Sequence, residues 1–304
     1  MASALVVGET VLDVVQAPGA EPVAAAGGSA VNAAVALARL GRPVRLATSW
    51  GLDRDGDVVE RHLAGAGVEL AADPRLLPRT SRAEAVIGPT GAATYSFDVG
   101  WRLPHVVATS GTHVLHVVSL GPLLDPGAEE TVALVDRLRP ETTVTYDVNV
   151  RPGITGTGPG VVERVHRMAG RADLVKASDE DLEALWPDRS VGEAAHALLE
   201  LGPVAVVVTH GGEGASWHAN TAHGWSTGGI HAEPVEVVDT IGAGDTFGAA
   251  LLDHLWPLLG EGGRARLEAL GPDDWADALR WAAKAASVTV SRLGADPPTR
   301  ADLR

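Results

Sequence analysis

A chain of 304 residues with 45% apolar content is long enough to bury one large α/β core, or one domain with a small appendage. Its net charge of -15, with Lys176 and Lys284 as its two lysines, argues against a general nucleic-acid binder, because phosphate backbones call for basic surface. Without cysteine, disulfides, thiolate catalysis and cysteine–zinc sites are excluded, and without an apolar stretch near ~20 residues or a charged leader the expectation is a soluble cytoplasmic protein with no membrane partner.

In chain order, residues 5–7 read as a strand and 31–40 as a helix closed by Gly41 at its C-terminal cap. Strand 44–48 and helix 57–66 follow, the helix ending at Gly67. Next come strand 114–118, helix 127–138, strand 143–146 and a helix around 161–168. Strand 174–175 and helices 179–185 and 192–201 lead to the wholly apolar strand 204–208. A helix over 247–256 stops at Pro257, which cannot continue it. Buried apolar strands alternating with helices predict an α/β fold with a parallel, doubly wound sheet covered on both faces.

Two stretches break the rhythm. Residues 10–25 and 81–99 look like short alternating strands joined by turns, with no helix between them. They predict a small separate sheet projecting as a lid, two surface hairpins being the alternative. With neither an internal repeat nor a low-complexity linker, residues 1–304 are expected to form one unit, the lid coming from about 10–25 and 81–100.

Four clusters carry chemistry. In Asp239-Thr-Ile-Gly242-Ala243-Gly244-Asp245, the glycines precede a helix N-terminus, where backbone N–H groups lack internal partners and the dipole is positive. Small side chains let an anion approach those groups, and Asp245 in the first turn supplies a carboxylate base; a capping role for Asp245 is the alternative. In Gly27-Gly28-Ser29-Ala30-Val31-Asn32, paired glycines permit close backbone approach and Asn32 offers an amide to a polyol, while Asp13 could accept two sugar hydroxyls. Thr209-His210-Gly211-Gly212-Glu213-Gly214 follows a buried strand, the usual place for ligands in open α/β sheets, though it also suits a hairpin turn. Asp147-Val-Asn149-Val-Arg151 lies at the same carboxyl edge, where Arg151 could pair with phosphate or make a structural salt bridge.

Other matches fail on context. Gly224-Trp-Ser226-Thr-Gly228 fits the nucleophile elbow of serine hydrolases, but extended sequence follows where a helix is required. His113 and His116, at i and i+3 on a strand, fall on opposite faces and cannot chelate together. No lysine follows P-loop spacing, and no Gly-x-Gly-x-x-Gly follows the first strand.

Taken together, these clusters resemble the ribokinase-like (PfkB) carbohydrate kinases over nearly the whole chain, residues 26–41 and 238–247 being similar to the family's two glycine signatures. The resemblance implies a ribokinase-like fold and an ATP-dependent kinase, with Asp245 taking the acceptor's proton and Gly242, Ala243 and Gly244 forming the anion hole. By the same likeness Asp13, Gly28, Asn32 and Phe97 would bind the sugar. Thr209, Gly211, Gly214, Asn149, Arg151, Ser178 and Asp181 would serve the nucleotide, with Mg2+. Asp239 would help hold a monovalent cation such as K+, and residues 287–295 would close over adenine. One departure is that the family's Asn-x-x-Glu after a lysine reads Ser178-Asp-Glu-Asp181 here. Gly8-Glu9-Thr-Val-Leu-Asp13 and Ala93-Thr-Tyr-Ser-Phe97 look most like fructokinases, which phosphorylate a primary hydroxyl of a small sugar. A nucleoside or 2-keto-3-deoxygluconate kinase, and a sensing homologue without catalysis, stay open. An exposed apolar lid face would pair two copies in a homodimer.

Overall fold

The computed structural model describes residues 2–16, 19–87, 93–107, 111–222 and 224–304. The parts of the expected lid at 17–18 and 88–92 lie outside the described residues. Fifteen strands are described: β1 (Ser3–Val7), β2 (Val11–Gln16), β3 (Val23–Gly27), β4 (Val44–Ala47), β5 (Trp50–Gly51), β6 (Glu69–Leu70), β7 (Arg75–Leu77), β8 (Arg82–Ile87), β9 (Ala93–Asp98), β10 (Thr112–Val118), β11 (Thr143–Asp147), β12 (Leu174–Ser178), β13 (Ala205–Thr209), β14 (Gly214–Thr221) and β15 (Gly224–His231). The helices are α1 (Ser29–Arg39), α2 (Arg54–Gly65), α3 (Gly127–Leu138), α4 (Pro152–Thr155), α5 (Pro159–Ala169), α6 (Asp179–Leu185), α7 (Val191–Glu200), α8 (Ala243–Leu255), α9 (Gly263–Glu268) and α10 (Pro272–Val290).

Nine strands form the main sheet in the order β15-β14-β13-β12-β11-β10-β1-β4-β6. From β13 to β6 every pairing is parallel, whereas β13–β14 and β14–β15 are antiparallel hairpin pairs. The inner strands are buried along most of their length, so their Val- and Leu-rich runs face helices on both sides. On one side α1, α2, α8, α9 and α10 pack around Leu37, Leu46, Leu251 and Trp275. On the other α3, α5, α6 and α7 cover Leu115, Val144, Met168 and Leu198.

The expected elements are all present, and their differences have local causes. Helix α2 starts at Arg54 instead of 57 because the Asp53 side chain accepts the Gly56 N–H at 2.8 Å and caps it. The C-terminal stretch 287–295 is not all loop: Ser287–Val290 completes α10, Thr289 being buried and bonded to Thr246 at 3.0 Å.

The interrupting stretches form one four-stranded sheet, β3-β2-β8-β9, separate from the main sheet. Arg82 ties its root to α2 through Asp55, 2.6 Å away. No helix among the described residues is long and apolar enough to cross a membrane.

From β1 the chain leads to β4 on one side, while β10 lies on the other. Loops leaving the carboxyl ends of β1 and β10 therefore diverge, which opens a crevice there. The Leu120 N–H donates to Glu9 Oε2 at 3.1 Å across that opening.

Candidate active site

A cleft of about 1790 Å³ runs over the carboxyl edge of the sheet, between the small sheet and the N-terminus of α8. Asp13, Gly28, Asn32, Phe97, Asn149, Arg151, Ser178, Asp181, Thr209, Gly211, Gly214 and 242–245 all line it. Residues more than 200 positions apart in sequence thus share one surface.

At its centre is the start of α8. Gly242 has φ 74°, the left-handed region that glycine enters without strain, and it turns the chain into the helix. A Cβ there would stand 2.7 Å from the Ala295 Cβ, because the segment after α10 presses on this turn. The N–H groups of Gly244 and Asp245 have no acceptor among the described residues, and Gly244 is exposed to the cleft. That is a cradle for an anion.

Asp245 is 6% exposed, and two neutral amides hold it. Asn32 Nδ2 on α1 donates to Oδ2 at 2.8 Å, and Asn149 Nδ2 donates to Oδ1 at 3.3 Å. Among the described residues no cation contacts the carboxylate directly, and each oxygen keeps a lone pair for a hydroxyl proton. The asparagine side chain is fixed in turn by donation to Ser29 Oγ at 2.5 Å and by an N–H from Arg151 to its Oδ1. Ser119 Oγ donates to the Asn149 carbonyl at 2.9 Å.

Asp13, half-buried on β2, faces this group. Burial lifts its carboxyl to about 6, opposed by Arg151 and assisted by the charge of Asp245. Gly27 is what makes room, since a Cβ there would lie 2.1 Å from Asp13 Oδ2. Gly28, with φ 94°, brings the backbone within reach of the Glu9 carbonyl. Glu9 itself was not among the expected site residues; burial pushes its carboxyl to about 7 against the pull of its own N–H, Arg151 and Leu120. The signal for it was an acid standing immediately beyond the first strand. Phe97 stacks on Tyr95 with rings 6.4 Å apart and meets α4, its Cε2 3.2 Å from where a Gly153 Cβ would be. The small sheet therefore roofs the cleft.

Asn149 and Arg151, expected beside the nucleotide, lie together with Ser29 and Asp245 at the start of α8. Thr209, Gly211 and Gly214 form the turn between β13 and β14 at the other end of the cleft, with Gly211 at φ 51° and Gly214 at φ 125°. Exposed Val235, Val237 and Ile241 supply apolar surface to the cleft. Asp239 fastens that segment: its oxygens accept N–H groups from Ile241 at 3.0 Å and Gly294 at 2.9 Å.

Ser178 and Asp181 make a reciprocal cap at the start of α6. Ser178 N donates to Asp181 Oδ2 at 2.8 Å, Asp181 N donates to Ser178 Oγ at 3.0 Å, and Val150 N donates to Asp181 Oδ1 at 2.8 Å. Asp179 and Glu180 of the same turn also line the cleft.

The other motifs stay outside. Ser226 lies within edge strand β15, not on a strand-to-helix elbow. His113 meets the Trp256 carbonyl and His116 meets Thr145, so the two histidines do not converge. Among the described residues no three His, Cys, Asp or Glu side chains could hold a metal ion together.

Residues 1–302 match the pfkB family of carbohydrate kinases. A fructokinase from Rhizobium leguminosarum bv. trifolii is 33% identical over 237 residues, 76% of this chain and 71% of that protein. The structure of fructokinase with bound ATP from Xylella fastidiosa superposes with a TM-score of 0.87 at 24% identity, covering 99% of this chain and 96% of that one. A double mutant of the Vibrio cholerae O395 fructokinase, in a form with fructose, ADP and potassium bound, gives a TM-score of 0.77 at 24% identity, covering 100% and 97%. These structures share the ribokinase-like α/β fold, and the match along almost its whole length shows that this chain belongs to the pfkB family of carbohydrate kinases.

Proposed function

We propose that the protein transfers the γ-phosphoryl group of ATP to a primary hydroxyl of a small sugar, fructose being the leading acceptor. One observation carries the reading: a carboxylate held by two amides, Asp245 between Asn32 and Asn149, stands in the same helical turn as unpaired N–H groups in an open cleft. The sugar sits by Asp13, Gly28 and Phe97, and the triphosphate extends from the α8 N-terminus toward Thr209 and Gly211. Asp245 accepts the hydroxyl proton as the oxygen attacks the γ-phosphorus in line; the new O–P bond forms while the bond to the ADP oxygen breaks. The amides at the start of α8, those of Gly244 and Asp245 unpaired and that of Ala243 bonded to the Thr240 carbonyl at 3.3 Å, meet charge on the transferring group, and the roof excludes water.

Magnesium fits as an ion held mainly by phosphate and water, since no cage of three acids is found among the described residues and Asp179 and Glu180 offer carboxylates nearby. When bound it would neutralise phosphate charge. A potassium ion would meet Asp239 through lone pairs left beyond its two N–H bonds. Exposed Val15, Val23, Val86, Tyr95 and Phe97 on the small sheet favour a homodimer paired through it, which sedimentation at micromolar concentration tests.

The functional test is ADP release over fructose, ribose, 2-keto-3-deoxygluconate, tagatose phosphate and adenosine. Turnover with fructose, falling ~10²–10⁴-fold in Asp245→Asn, is the expected result. Release with none of them, or an Asp245→Asn variant at full turnover, refutes the reading.

A further inference from the structure

Beneath the anion cradle lies an ion pair that the mechanism above does not use. Asp147 and Lys176 are register partners on adjacent parallel strands β11 and β12, with side chains on the α8 side of the sheet. Lys176 Nζ donates to Asp147 Oδ1 at 3.1 Å and Oδ2 at 2.9 Å. Both are buried, at 6% and 1% exposure. Such a pair is a poor device for stability, because desolvating two charges offsets most of their attraction and an apolar pair often does as well.

Its placement is more telling. A Cβ on Gly244 would stand 3.3 Å from Lys176 Nζ, so the ammonium touches the turn whose Gly244 and Asp245 N–H groups are unpaired. Gly248, one turn along, leaves room for the carboxylate: a Cβ there would lie 3.6 Å from Asp147 Oδ2 and 3.7 Å from Lys176 Cδ. The pair is thus oriented along α8, positive end toward the cradle and negative end deeper. It reinforces the helix dipole where charge on a bound anion would be felt. Lys176 also lines the cleft.

We propose that Lys176, held by Asp147, supplies a positive charge to the anion hole and stabilises the charge that gathers on the transferring phosphoryl group. This rests on the reading of 242–244 as the phosphoryl cradle. Its effect is greatest in the transition state, because the ammonium and carboxylate are fixed before the reaction and need no rearrangement.

The test separates charge from packing with Lys176→Met, Asp147→Asn and the double variant, in which no buried charge is left unpaired. Each is followed by thermal melting, by kcat and KM for ATP, and by binding of ADP alone and of ADP with aluminium fluoride as a transition-state mimic. The expected result is a double variant that melts near the wild type and binds ADP normally, yet has kcat lowered ~10²–10³-fold and the fluoride complex weakened in step. The Lys176→Gln, Asp147→Asn pair, which keeps a hydrogen bond between the two side chains and leaves no charge, gives the same readings should the first double variant fail to accumulate. Turnover within about threefold of wild type in either neutral variant overturns the proposal. A wild-type protein that releases no ADP with any acceptor overturns instead the kinase reading beneath it.

Discussion

Asn149 reaches Asp245 from a backbone conformation that few residues adopt: its φ is 33°, and its Nδ2 lies 3.3 Å from Asp245 Oδ1. Asparagine tolerates the left-handed region better than most residues, because its short amide bonds locally. Here that amide also bonds Ser29, so one side chain links the end of β11, the start of α1 and the start of α8. Ser119, after the neighbouring β10, has φ 48° and donates to the Asn149 carbonyl. Two adjacent strand ends thus hold left-handed residues beside Asp245, the kind of place where local strain serves function.

Removing the amide while relieving the backbone separates the two contributions. Asn149→Gly suits φ 33° yet has no donor, so its melting temperature is expected to stay near the wild type while kcat falls ~10-fold or more. Asn149→Ala loses the donor and gains left-handed strain of about 1 kcal/mol, so it should lose both activity and stability. Steady-state kinetics with thermal melts decide this, and full turnover in Asn149→Gly would show that the amide does not position the base.

Asp181 is expected to act on folding more than on metal use. Its two oxygens satisfy Ser178 N–H and buried Val150 N–H. Asp181→Ala leaves both unpaired and should destabilise the protein by about 2 kcal/mol, with the magnesium requirement of the folded enzyme unchanged. Unaltered melting together with a raised magnesium requirement would instead make Asp181 part of the metal site.

The parallel sheet was legible because its strands are short, apolar and separated by amphipathic helices, and helix 127–138 was legible to the residue. The start of α8 was legible because glycines stand directly before an apolar run of helical spacing. Helix α10 was not: the family likeness gave 287–295 only as a segment closing over adenine, whereas Ser287–Val290 completes the helix, with Thr289 buried against Thr246. Asn149 and Arg151 were legible as strand-end residues, whereas the bonds that join Asn149 to Ser29 and Asp245 depend on tertiary packing of residues 120 and 96 positions apart. Lys176 and Asp147 are 29 positions apart, and only strand register brings them together.

Gly27 should separate sugar binding from nucleotide binding. A methyl group there would occupy the space of Asp13 Oδ2, at 2.1 Å, and drive the carboxylate from its place. Gly27→Ala is therefore expected to raise KM for the sugar ~10-fold or more while KM for ATP changes little, because the Thr209 turn lies at the far end of the cleft. Equal loss for both substrates would mean that Gly27 supports the whole cleft instead of the acceptor end.

Stability should fall as pH rises through neutrality, and Glu9 is the cause. Burial pushes its carboxyl from 4.5 to about 7, so the folded protein binds this proton more tightly than the unfolded chain. A folded-state pKa above the unfolded one gives stability that is fully present below about pH 4.5 and is lost as pH rises through about 7. Asp13 and Asp147, raised to about 6, follow the same sign over a lower window, which leaves the interval from pH 6 to 8 mainly to Glu9. Glu9→Gln keeps an oxygen for the Leu120 N–H and has no proton to lose. Its advantage over the wild type should be small at pH 5 and grow toward pH 8, to at most about 3 kcal/mol. Denaturant unfolding across that range measures the difference, and parallel curves for the two proteins would place the pH dependence elsewhere.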